Sequence, residues 1–64
     1  MKVFVNEVEI EIFNGARVID AVNKFINLFE LYEKMKKPII VRDKWRNIIE
    51  LDGSLREGSK IYLD

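Results

Sequence analysis

From Lys2 to Phe13 apolar and polar residues alternate. Val3 and Val5 share one parity, Val8, Ile10 and Ile12 share the other, and Glu7, Glu9 and Glu11 fill the gaps. Period two with β-branched residues marks strands that have one wet face. The parity changes at Asn6-Glu7, as a tight hairpin turn requires, so strands are expected over residues 1–6 and 8–13. Glu7 is a poorer turn residue than glycine, and the pattern leaves the turn type open. Asn14-Gly15 ends the alternation.

From Arg17 the period becomes helical. Val18, Val22, Phe25, Phe29 and Tyr32 recur at intervals of four, three, four and three, and Ile19 and Ile26 widen the stripe. Asn14 is the one good capping residue ahead of it. The helix is expected to reach Met35 or Lys36 before Pro38 stops it. Leu28 and Leu31 fall off the stripe, so a kink or a second short helix is expected near residues 28–36. Beyond Pro38, Ile39-Ile40-Val41 reads as a strand, turned either at Asp43-Lys44 or around Arg46-Asn47. Ile48 to Leu51 reads as the next strand and Ile61-Tyr62-Leu63 as the last. Turns are expected at Asp52-Gly53-Ser54 and at Glu57-Gly58-Ser59.

One helix with one apolar stripe must bury it against one sheet. The expected fold is therefore a single α+β domain over residues 1–64, in ββαβββ order. One main helix packs on a mixed sheet of four or five strands. The first two strands form a hairpin, and the last strand returns beside the first as a parallel pair. This is the β-grasp layout, with strand order 2-1-5-3-4.

Two stretches carry a resemblance. Val5-Asn6-Glu7 and Gly15-Ala16-Arg17-Val18-Ile19-Asp20-Ala21-Val22 are similar to the hairpin turn and helix opening of the ubiquitin-like β-grasp superfamily. Leu55-Arg56-Glu57-Gly58-Ser59-Lys60-Ile61-Tyr62-Leu63 resembles its closing motif. Within that superfamily the chain looks nearest to the small sulfur carriers of thiamine and molybdopterin synthesis and to TGS domains. The shared motifs are structural and say little about activity. Sulfur carriers end in a Gly-Gly tail that is activated at its carboxylate, whereas this sequence ends at Leu63-Asp64. The resemblance thus implies an interaction module beside a sulfur-transfer or metabolic enzyme. Its alternatives are a TGS-like, RNA-associated module and a carrier whose Gly-Gly tail lies beyond this sequence. Ser59 stands where the family has Asp after Gly58, and a weaker local turn hydrogen bond is expected there.

Composition narrows the chemistry. The chain contains neither Cys nor His, which removes thiolate and imidazole ligands, iron–sulfur clusters and the usual nucleophile–base pairs. Ser54 and Ser59 therefore have no His to activate them. Glu7, Glu9 and Glu11 read as the charged face of an edge strand rather than as paired catalytic acids. Turn chemistry accounts for Asp52, and a hard-cation site from Asp43, Glu50 and Asp52 would need converging oxygens. No enzymatic activity, cofactor, metal or small-molecule substrate is expected. No apolar run exceeds three residues, as in Val3-Phe4-Val5, where a membrane span needs roughly 20. Acidic residues follow the start at once, unlike a signal peptide, so a cytoplasmic protein without membrane contact is expected.

The formal net charge is zero, yet it is unevenly spread. Residues 33–46 carry six cations and two anions, including Lys34, Lys36, Lys37, Arg42, Lys44 and Arg46. Lys34, Lys36 and Lys37 suit the end of a helix. Arg42, Lys44, Trp45 and Arg46 are candidate nucleic-acid contacts, with cations for phosphate and a ring for stacking. They share a face if 39–46 is one strand and scatter if Asp43 turns the chain. Strand parity selects a second surface. Val3, Val5, Ile61 and Leu63 point toward the helix, so Phe4 and Tyr62 point away and are expected to be neighbours. Phe13 on the second strand and Arg42 on the next strand would flank them. An uncovered sheet face with large aromatics is a candidate protein-interaction patch, for a protein partner or a homodimer.

Overall fold

The computed structural model describes residues 1–31, 33, 36 and 38–63. Tyr32, Lys34, Met35, Lys37 and Asp64, all named above, lie outside the described residues. The regular elements are β1 (Lys2–Val5), β2 (Val8–Glu11), α1 (Val18–Leu28), β3 (Val41–Arg42), β4 (Ile48–Ile49) and β5 (Lys60–Leu63). The five strands form one mixed sheet in the order β2-β1-β5-β3-β4, with α1 on one side. This order is consistent with a β-grasp layout. Glu33 and Lys36 add 3₁₀-helical residues after α1, within the stretch where a second short helix is expected.

The β1–β2 hairpin closes through Asn6 and Glu7, both at positive φ of 50° and 68°. Two consecutive left-handed residues make a type I′ turn, whose twist matches the flanking strands. That settles the turn type. Asn6 is suited to the conformation, whereas Glu7 occupies the position that glycine usually fills. Asn6 also accepts the Leu63 N–H on its side-chain oxygen at 2.8 Å, tying the turn to β5.

Helix α1 is entered through tertiary contacts. Asn14 is not its cap. Arg17 is, and its N–H donates to the Asp20 carboxylate at 2.9 Å. The next two N–H groups donate across the molecule, Val18 to Gly53 O at 2.9 Å and Ile19 to Leu51 O at 2.8 Å. The loop at 51–53 thus satisfies donors that a side-chain cap normally takes. Leu55 N–H donates to Ala16 O at 3.1 Å and completes the seam.

The helix stops at Leu28, earlier than Met35 or Lys36. Leu31 N–H reaches back to Ile26 O at 2.9 Å and Glu30 N–H to Asn27 O, with Glu30 at φ 54°. This is a Schellman ending, and Leu31 packs against the core from the expected position after the turn. Glycine normally marks such an ending, and Glu30 conceals it. The exit leaves Phe29 largely exposed, although it shares the stripe with buried Val18, Val22, Phe25 and Ile26.

The remaining strands are shorter than the pattern suggests. β3 covers Val41–Arg42 and not Ile39–Val41, and β4 covers only Ile48–Ile49. Ile39 nevertheless packs against the core, and Val41 is buried within it. The core lies between α1 and the inward positions of the sheet: Val3, Val5, Ile10, Val41 and Ile61. In the last turn, Gly58 has φ 83° with open space where a Cβ would sit, so glycine is required there for its backbone alone. Contrary to expectation, Ser59 keeps the local hydrogen bond, its Oγ accepting Arg56 N–H at 2.9 Å.

Glu7→Gly and Glu30→Gly each relieve a left-handed non-glycine residue and are predicted to raise unfolding stability by about 0.5–1 kcal/mol. Urea denaturation of the single variants checks this. A fall in midpoint for both would contradict the two turn assignments.

Candidate functional site

The register fixes what the side of the sheet opposite α1 displays. Phe4 pairs with Lys60 and Val5 with Ile61, while Arg42 stands opposite both Tyr62 and Ile48. Alternation then sends Val5, Ile61 and Val41 into the core and Phe4, Lys60, Tyr62, Arg42 and Ile48 outward. Burial agrees: Val5, Ile61 and Val41 are at most 2% exposed, and Ile48 is 65% exposed. Phe4, Tyr62 and Arg42 are half-buried, as large side chains lying along a sheet surface should be. Phe4 and Tyr62 share the face but are offset by one pleat, because Lys60 is the residue opposite Phe4. The Lys60 ammonium sits 5.9 Å from the Phe4 ring centroid, within cation–π range.

Phe13 does not join this face. The chain turns after β2, with Ala16 N–H donating to Phe13 O and Gly15 at positive φ, so strand parity no longer governs it. Phe13 is 61% exposed and lines a separate groove beside α1 with Asn23, Lys24 and Leu28. Ile48 takes its place on the outer face. Parity could have found Ile48 had the fourth strand been assigned an inward residue; its neighbour Ile49 packs on the core.

The basic residues sit in and beside the β3–β4 turn. Asp43 turns the chain, its Oδ1 accepting the N–H groups of both Trp45 and Asn47 at 2.9 Å. Arg46 adopts φ 69° and donates its N–H to Asp43 O. Arg42 Nη1 donates to Arg46 O at 3.1 Å, linking the strand to the far side of the loop. The turn excludes the continuous strand 39–46 but does not disperse the cations. Arg42, Lys44 and Arg46 line one open groove of about 690 Å³ with Glu7, Asp43 and Tyr62. Trp45 turns toward another groove, lined also by Ile49, Leu55 and Lys60, and is 70% exposed. The Lys44 ammonium lies 4.5 Å from its ring centroid.

The acids considered for catalysis or metal binding have other surroundings. Asp43 is occupied by backbone N–H groups. Glu9 lies opposite Phe4 and Glu11 opposite Lys2 on the outward side of edge strand β2. Among the described residues no helix is long and apolar enough to cross a membrane. The chain matches no protein-family model and no curated protein sequence.

Asp43→Ala removes the acceptor for two backbone N–H groups and is predicted to cost about 1–2 kcal/mol, with Asp43→Asn retaining most of the stability. Chemical denaturation gives the cost, and Trp45 fluorescence anisotropy should fall in the alanine variant as the turn loosens. Unchanged stability and anisotropy would contradict the assigned turn.

Proposed function

We propose that this chain is a small ubiquitin-like β-grasp module that binds protein through the outer face of its sheet and performs no chemistry of its own. The observation that carries the reading is the shared placement of Phe4, Tyr62 and Ile48 on the side away from α1, with Arg42 between Tyr62 and Ile48. These side chains add nothing to the core, which lies wholly on the other side. Apolar and aromatic groups around an arginine are the composition of protein-binding patches. The resemblance supports an accessory role beside a sulfur-transfer or metabolic enzyme, and nothing in the site itself selects that pathway.

The RNA reading has a specific observation in its favour, the exposed Trp45 under the Lys44 ammonium, in the same turn as Arg46. Against it, Glu7 lines the same groove as those cations, and Glu9 and Glu11 share the outer face. Acids placed along the path of a phosphate backbone oppose binding.

The variant Phe4→Ala/Tyr62→Ala should keep its circular dichroism spectrum yet lose the proteins captured by the immobilised wild type from native lysate. Equal capture by wild type and variant would remove the reading. Titration with short single-stranded RNA at low salt should leave the amide resonances of Arg42, Lys44, Trp45 and Arg46 in place. Saturable shifts there, weakened by salt, would replace the protein-binding reading with the RNA one.

A further inference from the structure

The outer face is bounded by charges of opposite sign. On the β2 margin Glu9 and Glu11 point outward, in register with Phe4 and Lys2. On the other margin lie Arg42 and the turn residues Lys44 and Arg46, three cations in a groove that Glu7 and Asp43 also line. Phe4, Tyr62 and Ile48 occupy the space between and beside them. A partner that covers the whole face must present the reverse order: cations over β2, apolar groups in the middle, acids over the β3–β4 turn.

The face itself presents that order after half a turn about an axis parallel to its strands. With two copies opposed in this way, β2 of each lies over the β3–β4 margin of the other. Glu9 and Glu11 then meet Lys44 and Arg46, and β5 lies over β5 with Tyr62 near the axis. Lys60, which follows the same strand, has its ammonium over the Phe4 ring and so leans from β5 toward β1, away from the axis. Half a turn about an axis running across the strands would instead set β2 on β2 and carboxylate on carboxylate. Charge therefore selects one symmetric arrangement, and it is a closed, isologous one. The zero net charge leaves no long-range repulsion between copies.

We infer that the protein bound by the outer face is a second copy of this chain, docked face to face about a two-fold axis parallel to the strands. The inference rests on the protein-binding reading above and names its partner. Packing is of the aligned sheet-on-sheet kind. The face spans five strands of at most four residues each, so the area it can cover lies at the small end of specific interfaces. The dimer is accordingly weak and concentration-dependent.

The test is sedimentation velocity over a wide range of loading concentration at low salt. It uses the wild type, Glu9→Lys/Glu11→Lys and Lys44→Glu/Arg46→Glu. The last variant leaves the Arg42 hydrogen bond in place, and circular dichroism confirms that each chain is folded. The wild type should pass from monomer to dimer with concentration, and high salt should weaken the dimer about tenfold or more. Each charge variant alone should remain monomeric, having margins of one sign. Their equimolar mixture should regain the dimer mass, because the basic β2 margin of one variant then meets the acidic turn of the other, and the basic turn meets the acidic β2 margin. Phe4→Ala/Tyr62→Ala should weaken association about tenfold or more without altering either margin. A monomeric wild type throughout the range, or folded charge variants that fail to associate when mixed, would overturn the inference. If the wild type stays monomeric while Phe4→Ala/Tyr62→Ala still abolishes capture of another protein, the dimer falls and the protein-binding reading survives.

Discussion

β5 enters the sheet between β1 and β3, and both faces of the molecule follow from that insertion. The strand is parallel to β1 and antiparallel to β3, so its alternation is read by both neighbours. Ile61 goes inward with Val5, and Leu63 goes inward with Val41. Lys60 and Tyr62 must then go outward with Phe4 and Arg42. A slip of one residue would exchange the two sets, placing Lys60 and Tyr62 under the helix and exposing Ile61. Burying a lysine without a partner is costly, and a thin core in a domain of this size cannot absorb it. The turn at Asn6 helps fix the register, since its side chain holds the Leu63 N–H and its own N–H donates to Ile61 O.

The same constraint explains why one side of the sheet is available. The only α-helix among the described residues buries Val18, Ala21, Val22, Phe25 and Ile26. Those residues match the inward positions, and the outward positions are left to solvent or to a partner. Their chemistry runs from acids on β2, through Phe4 and Tyr62 with Lys2 and Lys60 on the same strands, to cations beside the β3–β4 turn. Such a gradient is unnecessary for solubility alone, which interspersed charges would provide. It gives the face a direction, and a direction limits which partners fit and how they are oriented.

Much of this was legible in the residues. The parity change at Asn6-Glu7, the stripe from Val18 to Ile26 and the outward positions of Phe4 and Tyr62 all follow from periodicity. Harder to read were features whose signal lies elsewhere in the chain or is carried by an atypical residue. The helix start has no strong local cap because Gly53 and Leu51 supply the carbonyls from the far end of the sequence. Its end is hidden because Glu30 holds a conformation usually given to glycine. Parity puts Phe13 on the wrong surface because alternation stops applying once the chain turns at Phe13–Ala16. Ile48 gives little sign of its place on the outer face because β4 is only two residues long and offers almost no alternation to count. The course of the β3–β4 turn depended on which acceptor captured the backbone, and Asp43 does so with a single oxygen.

The division of the sheet into a covered and an open side is best measured by paramagnetic relaxation from a neutral, soluble gadolinium chelate. Protein dilute enough to be monomeric should show strong broadening at the Ile48 methyl groups and the Tyr62 ring, with Ile61 and Val5 protected. Broadening of Ile61 with protection of Tyr62 would mean that β5 sits in the opposite register, and the outer face described here would not exist.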